Sequence, residues 1–412
     1  MEIGQVVELT IFDLAFGGDG VGRTAEGQVI FVPFAAVGDE LQVQIVSVQS
    51  HFARAEIQEI VKPGPGRVEP VCPHFGRCGG CRYQHLDYDT QVATKVAQLK
   101  AVLQRIGGFD ELPEANPVVR SPQPLGYRNK LRVEPVGPVV DTGKTKLLEY
   151  GFCELDNKTF FVLDSCPLAA APLNELLPKA QHTAWAHKNV GLEQPRPLTL
   201  RLAADNSTHF YFGYAPKKIP WLHETLCQRE VSVPLDSFWQ VNPGVAEAMV
   251  DTVVSWFAEY PTPMVIDAYA GVGSFSLALG EKAKSRKLIE SDEQAWQAAE
   301  FNHLQWGLDQ DCELLCGRTE RVLPVTLSKL RRRASEATVI VDPPRAGCAD
   351  KVVQALLRSS VRQVVYVSCN VATLARDLKK LCGPNGFGLS KLAFFDMFPQ
   401  TAHFESVVLL QR

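Results

Sequence analysis

The sequence predicts an α/β protein in which a C-terminal doubly wound sheet follows a small β-barrel and a central α+β domain. From about residue 243 onward, helical and strand-like segments alternate, as they do when helices cross over between parallel strands. Short apolar runs separated by turn signals fill the first 62 residues, and a mixture of strand-like and helical pieces follows residue 125. We therefore expect domains at residues 1–62, 68–235 and 236–412.

The composition limits the classes of protein to which the chain can belong. Of its 412 residues 46% are apolar, which is enough for more than one hydrophobic core. No apolar run approaches the roughly 20 residues that span a bilayer, and the first residues lack a secretory pattern, so we expect a cytoplasmic protein without membrane contact. The formal net charge of -4 excludes a uniformly basic surface, so any site for nucleic acid must be locally basic.

The first domain has the rhythm of a small antiparallel barrel. Its apolar runs are VVELTIF, GQVIFVPF, LQVQIVSV and AEIQEIV, and the turn signal GGDGVG follows the first of them. The segment KPGPGR at 62–67 is typical of a linker. Nine acidic and three basic residues lie within residues 1–62, so the charge of this domain does not by itself favour phosphate.

Four of the eleven cysteines form a pattern in the central domain. Cys72, Cys78 and Cys81 lie within ten residues of one another, separated by glycine and proline, and Cys166 stands in the isolated peptide LDSCPLA. In a chain without a secretory signal this spacing favours metal binding over a disulfide framework. Four thiolates suit either a zinc ion or an iron-sulfur cube, and the spacing alone does not choose between them.

The peptide GYRNKLR, on a predicted strand of the central domain, interleaves cations with an aromatic ring. This combination is suited to contact with phosphates and to stacking on bases, although a solvated edge strand is an alternative interpretation. The candidate residues are Tyr127, Arg128, Lys130 and Arg132, and the basic runs Lys217–Lys218 and Arg331–Arg333 would extend the surface.

A glycine-rich turn follows the first apolar strand of the C-terminal sheet. In Asp267-x-x-x-Gly271-x-Gly273 the glycines allow backbone N–H groups to approach a ligand closely. Glu290 ends the next strand, where a carboxylate can bind both hydroxyls of a ribose. A tight turn and an exposed acid are the alternatives when each is taken alone, but together they predict a nucleoside cofactor.

Three further strand ends carry reactive groups. Asp342 is followed by two prolines, which either hold a rigid surface for a planar base or only terminate the strand. Cys369 precedes a helix, whose dipole we expect to lower the pKa of the thiol and make it a nucleophile, although many cysteines are only small buried hydrophobes. His403 and Glu405 lie on a loop near the C-terminus that can reach the same cleft.

The motifs DAYAGVGSF, VDPPRAG, YVSCN and FPQTAHFE, in this order and with FWQVN at 238–242, resemble those of the RNA uracil-5-methyltransferases. This family contains ribosomal and transfer RNA enzymes, and the resemblance covers nearly the whole chain. It implies that the C-terminal domain is a Rossmann-like class I methyltransferase that uses S-adenosylmethionine. It also implies that the barrel is a TRAM domain, an OB-like RNA-binding fold, and that a 4Fe-4S cluster binds Cys72, Cys78, Cys81 and Cys166.

The resemblance also assigns roles to residues of the C-terminal domain. Cys369 would add to carbon 6 of uracil so that carbon 5 can accept the methyl group, and Glu405 would then remove the proton from carbon 5. Asp342 would contact the base or the surroundings of the nucleophile. The residues implied at the cofactor are Gln240, Tyr269, Gly271, Gly273, Ser274, Glu290 and Asp342. One departure is Arg318-Thr319, where many relatives carry an acid or amide toward the adenine.

The RNA that is modified cannot be read from these motifs, because they encode the chemistry and not the RNA fold. We favour 23S ribosomal RNA, since a TRAM domain with a cluster is the architecture of that branch, and the transfer RNA T-loop is the alternative. An inactive RNA-binding iron-sulfur protein is disfavoured by the intact Cys369, Glu405 and Asp342. A cytosine-5-methyltransferase is disfavoured because the cysteine follows Ser368 rather than proline. We expect a monomer that binds structured RNA and not DNA.

Overall fold

The computed structural model describes residues 1–141, 146–216 and 221–412. Lys217 and Lys218 lie outside the described residues. The described strands form a closed five-stranded barrel, a five-stranded antiparallel sheet, a two-stranded hairpin and an eight-stranded mixed sheet. Among these residues we find no helix with the length and apolar character needed to cross a membrane. The predicted α/β fold class with an N-terminal barrel is confirmed.

The N-terminal barrel closes in the order β1-β2-β3-β5-β4. Inward and outward side chains alternate along its strands, as Leu41, Val43 and Ile45 show, because successive strand residues point to opposite faces. The alternation of apolar and polar residues therefore specifies which face is packed inside. The strands are β1 Val6–Leu14, β2 Gly20–Arg23, β3 Val29–Val32, β4 Glu40–Val48 and β5 Phe52–Lys62.

Helix α1 (Tyr88–Arg105) and strand β6 (Ala115–Val119) separate the barrel from the central sheet. The central sheet has the order β11-β10-β7-β8-β9 and encloses its core against two helices. Its elements are β7 Lys130–Asp141, β8 Lys146–Cys153, β9 Phe160–Val162, α2 Ala171–Gln181, α3 Ala184–Val190, β10 Leu198–Leu202 and β11 Thr208–Phe212. The hairpin β12 Leu222–Leu226 and β13 Arg229–Val233 follows.

The C-terminal sheet has the order β16-β15-β14-β17-β18-β20-β19-β6. Strands β14, β17 and β18 are buried throughout, because helices cover both faces of this parallel region, and they therefore consist almost wholly of apolar residues. The elements are α4 Pro243–Glu259, β14 Met264–Ala268, α5 Ser274–Leu279, β15 Ser285–Glu290, α6 Glu293–Gln305, β16 Cys312–Cys316, α7 Thr319–Leu330, β17 Ala337–Val341, α8 Asp350–Arg358, β18 Gln363–Ser368, α9 Val371–Leu381, β19 Gly388–Phe395 and β20 Glu405–Gln411, with short 3-10 helices at Gly280–Lys282 and Arg331–Glu336.

Two elements from the first third of the chain complete this sheet. Strand β6 pairs in parallel with β19 at the edge, and α1 packs against α9. Leu99 and Leu103 of α1 share one hydrophobic core with Leu374 and Leu378 of α9. The C-terminal sheet therefore needs chain segments that precede the central sheet in sequence.

Candidate active site

The carboxyl ends of β14, β17 and β18 meet at one edge of the sheet. Tyr269, Asp342 and Cys369 are the first residues after these three strands. The chain runs outward from β14 through β15 to β16 and then returns to the other side of β14 with β17 and β18. Such a reversal leaves a crevice beyond the strand ends, where open α/β sheets bind their ligands.

A small cavity that opens to solvent lies at this reversal. The walls come from the glycine-rich turn, from residues 238–243 and from helix α4. The residues from the sequence prediction that line it are Gln240, Tyr269, Gly271, Ser274 and Asp342. The structure thus brings most of the predicted cofactor residues to one cavity.

The glycine-rich turn has an unusual backbone. Tyr269 has a φ of 66°, a left-handed conformation that is uncommon for residues other than glycine and is found preferentially at functional sites. Gly273 has a φ of 89°, and a Cβ placed there would lie 2.8 Å from Cε1 of His303. The N–H of Gly271 donates to Oε2 of Glu290 over 2.8 Å. Gly273 and Glu290 therefore shape the turn from behind the cavity wall.

Two carboxyl groups of this region are held partly in their neutral form. Burial raises the pKa of Asp267 to about 7, against the opposing effect of a hydrogen bond from Ser276 N over 3.1 Å. Burial likewise raises the pKa of Asp342 to about 7. Since Asp267 lies behind the turn and Asp342 lines the cavity, only Asp342 is positioned to contact a ligand.

Cys369 and Glu405 lie side by side at the ends of neighbouring strands. Strand β20 runs antiparallel to β18, and Ser368 pairs with Ser406, so that β18 ends where β20 begins. Burial, followed by the charge of Asp342, raises the pKa of Glu405 well above its usual value, whereas the Arg345 guanidinium opposes this rise. The three predicted reacting groups, Cys369, Glu405 and Asp342, therefore lie close together at this edge of the sheet.

The expected lowering of the Cys369 pKa is wrong. Burial, together with the charges of Glu405 and Asp342, raises the pKa of this thiol to about 11, and Arg345 only partly offsets them. One of the free N–H groups at the start of α9 already has a partner, because the Asn370 side chain accepts from Ala372 N over 3.1 Å. Desolvation and two acidic neighbours thus outweigh the helix dipole.

The segment after β17, residues 342–348, is fixed to helix α9. The carbonyl of Arg345 accepts from Asn370 Nδ2 over 3.1 Å and from Thr373 Oγ1 over 3.2 Å. Cys348 N donates to Oδ2 of Asp377 over 2.8 Å. Because α9 begins just after Cys369, these contacts fix Asp342 and Arg345 relative to the thiol.

The loop that leads to Glu405, residues 396–404, is held by a buried ion pair. Lys95 Nζ of α1 lies 2.6 Å from Asp396 Oδ1, and both side chains are fully buried. The same ammonium donates to the carbonyl of Phe398 over 3.0 Å. The charge that orients this loop therefore comes from a helix 301 positions earlier in the sequence.

Gln400 ties the 396–404 loop to the segment that carries the cysteines. It has a φ of 69°, and its carbonyl accepts from the N–H groups of Arg82 and Tyr83, each over 3.0 Å. Its own N–H donates to Gln91 Oε1 of α1 over 2.9 Å. The peptide that follows Cys81 thus contacts the loop that positions Glu405.

Tyr127 also contacts this loop, which corrects one prediction. It is only 6% exposed, and its hydroxyl donates to the carbonyl of Pro399 over 3.2 Å, so the ring is not free to stack on a base. Of its neighbours, Lys130 is half-buried, and its burial together with the charge of Arg201 lowers its pKa to about 8. Arg132 is exposed and pairs with Glu134 over 3.3 Å. RNA contact by Arg128, Lys130 and Arg132 remains a prediction.

The structure brings the four predicted cluster cysteines into one region. Cys81 and Cys166 are buried, and burial raises the pKa of both; the Cys166 charge adds to the effect on Cys81, which reaches about 12. Gln84 Nε2 donates to Cys81 Sγ over 3.2 Å, and the charge of Arg128 favours the thiolates. Among the described residues, no three or more His, Cys, Asp or Glu side chains form a ready-made site for a metal ion.

Comparisons with known proteins extend these observations. The model for the tRNA (uracil-5-)-methyltransferase family matches residues 324–412, and the TRAM domain model matches residues 1–57. The chain is 32% identical to an uncharacterized RNA methyltransferase of Synechocystis sp., over 99% of this chain and 96% of the relative. It is 31% identical to the 23S rRNA (uracil(1939)-C(5))-methyltransferase RlmD of Vibrio parahaemolyticus, over 93% of this chain and 91% of that protein. The chain belongs to the RNA uracil-5-methyltransferase family.

A solved structure agrees with this family membership. The crystal structure of Pyrococcus abyssi tRNA (uracil-54, C5)-methyltransferase in complex with S-adenosyl-L-homocysteine matches with a TM-score of 0.72 and 25% identity, over 98% of this chain and 100% of that chain. The RNA uracil-5-methyltransferase resemblance and the enzyme class predicted from the motifs are thus confirmed. The departure at Arg318 lies outside the cavity lining, and its exposed side chain is 3.9 Å from Glu320.

Sequence analysis missed the residues that support the site of this uracil-5-methyltransferase. Helix α1 buries Gln91, Lys95 and Gln98 at helical spacing, on the same side as its apolar residues Val92 and Leu99. Buried polar side chains need hydrogen-bond partners, so polar residues on the apolar face of a predicted helix indicate that this face packs against polar groups elsewhere in the chain. Its partners, Asp396 and Gln400 in the 396–404 loop, could not be identified from spacing alone.

Proposed function

We propose that this protein methylates carbon 5 of a uracil in RNA through a covalent adduct between Cys369 and carbon 6. The observation that carries the proposal is the pairing of β18 with β20, which sets Cys369 beside Glu405. Asp342, which lines the cavity, is close enough for its charge to raise the pKa of both groups. A nucleophile and a proton acceptor are the two groups that this chemistry requires.

S-adenosylmethionine supplies the methyl group in this proposal. The residues that would hold it are Gln240, Tyr269, Gly271, Ser274 and Asp342 on the cavity wall, supported by Gly273 and Glu290. The left-handed backbone at Tyr269 and Gly271 keeps the turn open, so that the nucleoside can approach the main chain. The carboxylate of Glu290, at the end of β15, would rotate away from Gly271 N and accept hydrogen bonds from the two ribose hydroxyls.

Two groups at the strand ends, Cys369 and Glu405, have different roles in the reaction. Cys369 must lose its proton to solvent water before its sulfur bonds to carbon 6, which places the electron pair of the ring double bond on carbon 5 and makes that carbon a nucleophile. Arg345 is the nearby cation that opposes the rise in its pKa. After methyl transfer, Glu405 would take the proton from carbon 5 while the bond between sulfur and carbon 6 breaks. A carboxyl with a raised pKa is suited to accepting that proton.

The covalent step is tested by two variants. Glu405→Gln should stop the reaction after methyl transfer and leave RNA attached to Cys369, detected as a band that resists denaturation in a gel. Cys369→Ala should abolish both methylation and the adduct but retain S-adenosylmethionine binding in calorimetry. Cys382→Ala, at the far end of α9, is the matched control and should behave as the unaltered protein. Turnover by Cys369→Ala would refute the mechanism.

We also propose that Cys72, Cys78, Cys81 and Cys166 hold a 4Fe-4S cluster. Cysteine thiolates and hydrogen bonds to sulfur are typical of iron-sulfur sites. Gly80 N donates to Cys78 Sγ, Gln84 Nε2 donates to Cys81 Sγ, and the charge of Arg128 favours the thiolate of Cys166, which supports this ligand set. Protein purified without oxygen should contain about four irons and four labile sulfides, and Cys166→Ser should lose them. Stoichiometric zinc without iron would overturn this assignment.

The substrate that we propose is 23S ribosomal RNA. The relative RlmD, similar over most of both chains, carries that activity in its name, whereas the Pyrococcus abyssi neighbour acts on tRNA. Arg128, Lys130 and Arg132 would contact the RNA, and we expect a cytoplasmic monomer. Mapping of 5-methyluridine in ribosomal and transfer RNA from a deletion strain tests the proposal. Loss of the modification from tRNA alone would instead favour the T-loop of transfer RNA as the substrate.

A further inference from the structure

A basic groove lies between helices α7 and α8, away from the cavity. It is a wide cleft of about 1090 Å³ that is open to solvent. Five cations and one acid line it, along with hydroxyl and amide side chains. The cations are Arg321, Arg331, Arg332, Lys351 and Arg358, and the acid is Glu320. This surface, called the α7–α8 groove below, includes two residues of the Arg331–Arg333 run.

The cations of the α7–α8 groove are free to bind a ligand. All five are exposed, and none takes part in an ion pair among the residues that the structure describes. The nearest acid, Glu320, is 3.9 Å from Arg318. A protein with a net charge of -4 thus concentrates unpaired positive charge on one face, which creates a local positive potential.

The backbone around the α7–α8 groove is fixed. Ser360 Oγ donates to the carbonyls of Arg331 and Arg332 over 2.9 and 3.2 Å. Arg331 has a φ of 50°, so the chain turns sharply there and directs the arginine run outward. Arg412 adds hydrogen bonds to the carbonyls of Leu356 and Val361, at the end of α8 and before β18. The backbone that carries the arginines is therefore held in place, which reduces the entropy that it loses when a charged ligand binds.

The α7–α8 groove runs along both helices, and the end that carries Arg331, Arg332 and Arg358 lies at the opposite edge of the sheet from the active site. Arg321 and Lys351, in the first turns of α7 and α8, lie toward the carboxyl ends of the strands. Residues 331–336 precede β17 and residues 358–360 precede β18, whereas Asp342 and Cys369 follow those strands. A strand of five or six residues is roughly 17–20 Å long. A ligand that reaches both places must therefore extend well beyond one flipped nucleotide.

We infer that the α7–α8 groove binds the sugar-phosphate backbone of the substrate RNA at a segment outside the one that enters the active site. This inference rests on the proposed RNA methylation. Four of the five cations are arginines, whose planar guanidinium groups bind phosphate in bidentate fashion. A regular series of phosphates matches such an array, and the contact would be independent of base sequence.

The test compares two RNAs that contain the same target uridine. One is a short stem-loop, and the other carries the flanking helices as well. Arg331→Glu/Arg332→Glu should raise the Kd for the long RNA about tenfold and reduce its salt slope by about two. The kcat/KM on the stem-loop should remain unchanged. Lys282→Glu/Lys284→Glu, in the same domain but outside the groove, changes the charge equally and should leave both RNAs unaffected.

The possible outcomes separate this inference from the function on which it rests. Equal affinity of the groove variant and the unaltered protein for the long RNA, or equal losses on both RNAs, would overturn the groove assignment. A third outcome would also overturn the assignment: the unaltered protein binds poly-glutamate, the groove variant does not, and both bind RNA equally. That result would favour an acidic protein partner. Failure of the unaltered protein to methylate either RNA would refute the proposed function instead. Arg332→Gln, which removes one charge with less disturbance, should show about half the change in salt slope.

Discussion

Replacing Lys95 by alanine should damage both the stability of the protein and the active site. Lys95 and Asp396 are completely buried, and their side chains meet at 2.6 Å. Truncation of Lys95 leaves the Asp396 carboxylate buried without its partner, and breaking a pair in this way typically costs about 3–5 kcal/mol. The carbonyl of Phe398 loses its donor as well, so we expect a loss of folding free energy near the upper end of that range.

The functional consequence of Lys95→Ala should be separable from unfolding. The pair holds the 396–404 loop, which leads directly to Glu405. At a temperature where the variant is still folded, methylation should fall at least tenfold, while S-adenosylmethionine binding, which depends on the opposite wall, stays within twofold. Urea unfolding and single-turnover methylation measure the two effects.

Two comparisons make the Lys95 prediction refutable. Arg105→Ala, on an exposed turn of the same helix, should change stability by less than about 0.5 kcal/mol. Lys95→Met/Asp396→Leu removes both charges and should be more stable than Lys95→Ala, because no uncompensated carboxylate remains. If the free energy of unfolding of Lys95→Ala is within about 1 kcal/mol of that of the unaltered protein, the buried pair does not hold the loop.

Three further predictions follow from the pocket. The methylation rate should rise from pH 6 to pH 9, because Glu405 and Cys369 must both be ionised to react. The pKa of Glu405 is raised and that of Cys369 is about 11, so both groups lose protons over this range. A flat pH profile under single-turnover conditions would contradict this. Asp342→Asn should stabilise the protein at pH 8 and not at pH 4, since a carboxyl with a raised pKa is unfavourable only when ionised; the rise from 3.8 to about 7 sets an upper limit of about 4 kcal/mol in urea unfolding. Gly273→Ala should weaken S-adenosylmethionine binding in calorimetry by at least fivefold, because the φ of 89° and the contact with His303 both oppose a Cβ; unchanged affinity would show that the turn adapts.

The parts of the site that could be predicted from sequence are those that lie at strand ends. Asp342 and Cys369 each follow a strand that is buried throughout, so the apolar runs located both residues at the same edge of the sheet. The antiparallel return of β20 beside β18 was not visible, because periodicity reveals a strand but not its neighbour. The closeness of Cys369 to Glu405 therefore came from the family resemblance and the register, not from the pattern.

The environment of each group was harder to predict than its position. The Cys369 pKa depends on burial and on Asp342 and Glu405, which outweigh the helix dipole that the sequence suggested. Tyr127 lies among basic residues in sequence, yet it is buried in the core of the central domain, and its hydroxyl donates to the 396–404 loop. Both effects arise from contacts between residues that are not neighbours in sequence, 27 and 36 positions apart for Cys369 and 272 for Tyr127, and a single sequence carries no direct signal of such contacts.

The place of β6 beside β19 means that the methyl-transferring half of this protein is not an autonomous unit. A polypeptide starting near residue 236 would leave β19 with a bare row of hydrogen-bonding groups, which invites association with other chains. During synthesis β6 emerges from the ribosome long before β19, so the two strands can pair only after the last part of the chain has been made. Insertion or exchange of whole modules between relatives would therefore have to carry residues 88–119 along with the C-terminal sheet.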